Sequence, residues 1–187
     1  MRRKIRKIEI LLMDTTESSA TGTLHTYRAS TGSPVRALLL VTAIAGTLDI
    51  IAAYLQIWAG SGKFPFMMLK GIAAGALGVR RAMQGGVGTM ALGLFFHYFI
   101  SFAFTLLFFL LYPRVSLLRK NPYVIGTVYA LFTWAVMNYI VMPLSALPWP
   151  LPDFGSKQLY IGLIVFVLIF GLPIVFGTSR FYCRREA

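Results

Sequence analysis

Acidic residues are scarce in this chain: six Asp and Glu against eighteen Lys and Arg in 187 residues. Charged residues of both signs make up only 13%, where a soluble domain carries about a quarter. With 57% hydrophobic residues and a mean hydropathy of +0.72, that scarcity excludes an ordinary soluble domain and indicates an integral membrane protein. Cysteine is nearly absent as well. Cys183 stands alone, so no intramolecular disulfide is available. Two histidines, His25 and His97, do not make a zinc site, and no HExxH, P-loop or GxSxG pattern occurs. No metal, cofactor or catalytic activity is therefore expected. The formal charge of +12 is scattered between apolar stretches rather than gathered on one face, so no nucleic-acid partner is expected either.

What the chain does have is long apolar runs. Residues 87–112 contain no Asp, Glu, Lys or Arg. As a helix they would reach about 39 Å, more than the ~30 Å of a bilayer core. Four such runs, at about 37–58, 87–112, 123–143 and 159–177, predict an all-α, polytopic four-transmembrane-helix bundle. Residues 1–36 read as a flexible cytoplasmic tail and 178–187 as a basic cytoplasmic tail. The MRRKIRK start resembles a signal-peptide n-region, but the apolar block after it is too short for a cleavable signal. Met13 offers a second translation start.

Between the first two spans, residues 64–83 are too short and too charged to cross, with Lys70 inside and Arg80 and Arg81 at the end. They predict a short interfacial helix, with Gly71, Gly75 and Gly78 allowing close packing against the spans. The Gly85–Gly86 pair is the expected turn into the second span.

Small and polar residues fall on helical stripes. In the first span Thr42, Ala45, Gly46, Asp49, Ala52, Ala53 and Gln56 recur at three- and four-residue steps. That face is expected to look into the bundle, with Val41, Ile44, Leu48, Ile51 and Leu55 toward lipid. In the second span Gly93, His97, Ser101 and Thr105 form a ridge that winds slowly round the helix, so its partners need not be one neighbour. In the third span Thr127, Ala130, Trp134 and Asn138 share a face. Pro143 is expected to close that span, Gly171 and Pro173 to kink the fourth, and Trp149 to sit at headgroup level.

Thirteen of the eighteen Lys and Arg fall on the side of the two termini and the 113–122 loop. Both termini are therefore expected in the cytoplasm. On that frame Asp49, His97 and Asn138 lie in the outer half of the membrane, close enough in depth to converge. A carboxylate there costs ~2.5–3.5 kcal/mol on insertion scales, so Asp49 must be neutral, paired or hydrated. His97 is its nearest plausible cation. Asp49, His97, Asn138, Ser101 and Trp134 are thus the candidate polar site, either a titrating or ligand-binding group or an inter-helix hydrogen-bond cluster. The first alternative implies a small transporter-like or proton- or ion-responsive protein, which with four spans calls for a homodimer. The second implies a structural or interaction subunit of a membrane complex. An intramembrane enzyme is a third alternative, for which no nucleophile with an oriented base and no third metal ligand is evident. The expected surroundings are the lipid bilayer.

The stretches GTLDI (46–50), LKGIAAGALG (69–78), GGVGTMALGLFFHYFISF (85–102), YPR (112–114) and GTVYALFTWAVMNYIVMPLSALP (126–148) resemble four-span bacterial membrane proteins, loosely those of the YagU-like inner-membrane family. The resemblance covers roughly residues 37–148 and implies a bacterial inner-membrane location. It brings no activity and no site residue.

Overall fold

The computed structural model describes residues 33–61, 66–148 and 152–186. The N-terminal tail up to residue 32, with His25, and Trp149 lie outside the described residues. All regular structure among the described residues is helical, and four helices are long and apolar enough to cross a membrane. The first is Pro34–Ser61, opened by a proline whose fixed φ and missing N–H suit a first helical position. The second, Val87–Leu111, begins directly after Gly85–Gly86. The third starts at Pro122, where the Asn121 side chain accepts the Tyr123 amide at 3.0 Å as an N-cap. The fourth starts at Lys157.

The fourth helix runs to Glu186, well past the end expected at 177. Its last turns find partners on the second span. The Tyr182 hydroxyl donates to the Phe109 carbonyl at 3.1 Å, and the Tyr182 ring stacks on Tyr112 at 5.2 Å between centroids. Phe181 lies 5.9 Å from Phe109. Those aromatic contacts carry the helix through the basic TSRFYCRRE segment, which sequence polarity alone reads as a tail.

Two wide π turns interrupt the last two spans, at Met137–Val141 and Val167–Gly171. Each ends two residues before a proline, Pro143 and Pro173. Proline cannot donate to the helix and its ring crowds the carbonyl four residues earlier. A widened turn at that point relieves the crowding without ending the helix. Pro143 thus does not close the third span at once; the helix continues through Met142–Leu144.

The first and fourth spans pack against each other, the first also against the second, and the fourth against the third. The second and third touch chiefly through aromatic groups. Phe108 and Tyr129 lie 4.7 Å apart, and the Tyr129 hydroxyl donates to the Phe104 carbonyl. Phe108, Ile174 and Val175 are wholly or almost wholly buried at this end of the bundle. On the first span Thr42, Ala45, Gly46 and Ala52 are buried as expected, whereas Gln56 is exposed and Val41 is buried. The fourth span explains Val41: its Gly177 leaves room for the valine methyl groups. On the third span Thr127 faces out and bonds to the Tyr123 carbonyl, while Gly126, Tyr129, Ala130 and Thr133 face in.

Toward the other end the second and third spans separate. Between them lies an apolar cavity of about 940 Å³, with Phe96 and Ile100 on one wall and Met137 and Val141 on the other. The expected short helix covers it. It consists of Phe66–Leu77 and Val79–Gln84, broken at Gly78, whose φ of +79° is the left-handed conformation that glycine adopts freely. Ala73 and Ala74 are fully buried. The Gly75 carbonyl accepts the Ala146 amide at 2.8 Å, tying this helix to the end of the third span. Lys70 donates to the Met83 carbonyl at 3.2 Å, joining the two halves. The glycine that allows the close approach is Gly93 of the second span, against whose Cα lies the Leu69 carbonyl. Gly71 and Gly78, expected in that role, have open space beside them, and Gly75 has only Ser145 within reach.

Candidate functional site

The first and second spans meet where Gly46 lacks a side chain. A Cβ there would stand 3.1 Å from Tyr98 and 3.3 Å from the Ser101 hydroxyl, so any larger residue would press the helices apart. Three polar groups of the second span use the contact. His97 Nε2 lies 2.8 Å from the Gly46 carbonyl, Tyr98 and Thr47 share a hydroxyl–hydroxyl hydrogen bond of 2.7 Å, and Ser101 is buried against Gly46. A carbonyl only accepts, so Nε2 carries the hydrogen in this arrangement. Nδ1 is then the nitrogen that takes up a proton.

Asp49 is one helical turn beyond Gly46 on the same side of the first span, half-buried. Its carboxyl belongs to the same crossing as the His97 imidazole. The arrangement differs from a simple ion pair, because the His97 hydrogen bond goes to the backbone of Gly46. The imidazole is anchored at one nitrogen, with the carboxyl as its nearby charge. Asp49 is the one acidic residue in any of the four spans.

The second-span ridge changes partners as its winding implies. Gly93 meets the short helix, whereas His97 and Ser101 meet the first span. Thr105 donates back to the Ser101 carbonyl at 2.8 Å. Asn138 does not join them. Its amide donates to the Trp134 carbonyl of its own helix at 2.9 Å, at the start of the π turn. Trp134 lies edge-on to Tyr139 and Phe154, at 6.2 and 6.4 Å between centroids. Both belong to the third span and the loop after it. The cavity between Phe96 and Ile100 on one side and Met137 and Val141 on the other holds this group away from the second span.

Thr47 and Tyr98 were absent from the sequence-derived set. Tyr98 carried a signal, a hydroxyl beside His97 in an otherwise apolar run. Thr47 lies just off the small-residue stripe and carried none. Comparison with protein-family models, curated proteins and solved structures finds no match, so the functional reading rests on the geometry of this crossing.

Proposed function

We propose that this chain is a small proton-responsive, transporter-like membrane protein whose working group is the Asp49–His97 pair. One observation carries the reading: His97 of the second span bonds to the Gly46 carbonyl, one helical turn from Asp49, which brings an imidazole and a carboxyl to the same crossing of two apolar spans. Ionisable residues inside a membrane are costly and, where retained, usually line proton or ion paths. The His97 ring meets the Tyr98 ring edge-on at 5.4 Å between centroids, and Asp49 lies one helical turn from the Gly46 carbonyl that His97 bonds. Lys70, on the short helix packed against the second span, is engaged by the Met83 carbonyl.

In this reading a proton arriving at Nδ1 leaves the Nε2 bond to Gly46 in place and adds a charge facing Asp49. Its departure removes that attraction. The crossing therefore has two charge states without rearrangement of its anchor, and four spans supply one such crossing per chain. A homodimer would bring two of them into one assembly. The basic-residue bias supports an orientation with both termini in the cytoplasm, and the resemblance to bacterial inner-membrane proteins supports that membrane as the setting.

A second reading is favoured by the hydrogen bonds themselves. His97 to Gly46 and Thr47 to Tyr98 clasp two helices, as a structural subunit of a membrane complex requires. Proteoliposomes containing a pH-sensitive dye separate the two. Under an imposed membrane potential the wild type is expected to move protons, and Asp49→Asn to abolish the flux while remaining folded. Flux equal to that of empty liposomes in both would overturn the transporter-like reading and leave the clasp.

A further inference from the structure

We propose that the gap between the second and third spans binds an anionic phospholipid, with acyl chain in the cavity and phosphate on Arg80 and Arg81. At about 940 Å³ the cavity is at the upper end of the range for small-molecule sites. Its walls include Ile72, Phe96, Ile100, Met137 and Val141, and Ser145 is the one lining side chain with a hydroxyl. Such walls reject sugars, nucleotides and amino acids, whose polar groups would lose water without gaining partners. They accept hydrocarbon. In a bilayer, the hydrocarbon at hand is the acyl chain of a lipid.

Charge decides which lipid. Val79 lines the cavity, and the two residues that follow it, Arg80 and Arg81, are exposed. Guanidinium groups match phosphate with paired, charge-assisted hydrogen bonds. No acidic residue occurs in the sequence between Asp49 and Asp153 to compete for them. The one short segment thus carries residues of the apolar wall together with two exposed cations, the two kinds of group that a phospholipid's chain and headgroup require. Neither Asp49 nor His97 lines the cavity, so this site stands independently of the proton-responsive reading.

The test uses the full chain, purified in mild detergent and titrated with phosphatidylglycerol or phosphatidylcholine of equal chain length. Native mass spectrometry reads the bound lipid, and thermal unfolding reads its effect. The wild type is expected to bind phosphatidylglycerol about tenfold more tightly, because phosphatidylcholine offers the same phosphate with a choline cation that the two arginines repel. Arg80→Gln with Arg81→Gln should remove that preference while leaving phosphatidylcholine binding in place. Gly71 lines the cavity with open space beside it, so Gly71→Leu should fill the gap and weaken both lipids. Ile100→Trp narrows the same cavity from the second span and serves if Gly71→Leu does not fold. Equal affinity for the two lipids in the wild type would overturn the assignment. So would undiminished binding in the cavity-filling variant, or protection by inorganic phosphate equal to that by phosphatidylglycerol.

Discussion

His97 commits one ring nitrogen to the Gly46 carbonyl and so ties the second span to the backbone of the first. If Asp49 and His97 are energetically joined, removing one leaves the other as an unpaired polar group in the membrane. Asp49→Leu, His97→Leu and the double variant form a double-mutant cycle, read by unfolding in detergent. The expected coupling is about 0.5–2 kcal/mol, with the double variant less impaired than the summed single losses; inter-helix hydrogen bonds alone average near 0.6. Strict additivity would show that the two do not communicate. Both residues were legible in the sequence because an ionisable side chain in an apolar run is conspicuous. The placement of Asn138 was not. Depth arithmetic treats spans as rods in contact, and here a cavity separates the third span from the second, so equal depth does not bring Asn138 to His97.

At the scale of elements, hydropathy marked all four spans and the short helix between the first two, because length and charge suffice for that. It did not reach what prolines do inside a helix that is packed on both sides. Pro143, expected to close the third span, instead follows a widened turn and the helix runs on to Leu144, while the fourth span widens just ahead of Pro173, where a kink was expected. Nor did it assign the glycines of the short helix correctly, since a glycine in an interfacial segment and one in a span carry the same letter. The structure puts the close contact at Gly93. Gly93→Ala would drive a methyl group into the Leu69 backbone and is expected to cost about 1–3 kcal/mol of stability as overpacking. Gly71→Ala meets open space and gains helix propensity, for an expected change between zero and about 1 kcal/mol of stabilisation. Thermal unfolding of the two variants in the same detergent checks this. Equal losses would mean that the short helix does not dock through Gly93.

For the whole molecule, the central claim is that the chain crosses the membrane four times and that the helix at 66–84 does not cross. The helical hairpins, the aromatic packing of Phe108 on Tyr129 and the basic-residue bias all belong to that arrangement. It places Pro34, Cys183 and the loop around Lys120 on one side, and Lys157 on the other. The native Cys183 is exposed on its helix and provides a built-in probe for the C-terminal side. In intact cells an impermeant thiol reagent is expected to leave Cys183 unmodified, and also a cysteine at Lys120 in a Cys183→Ser background. A cysteine at Lys157 in that background should react. Modification at 120 with protection at 157 would contradict the account, because it would mean either a crossing by the short helix or the reverse orientation.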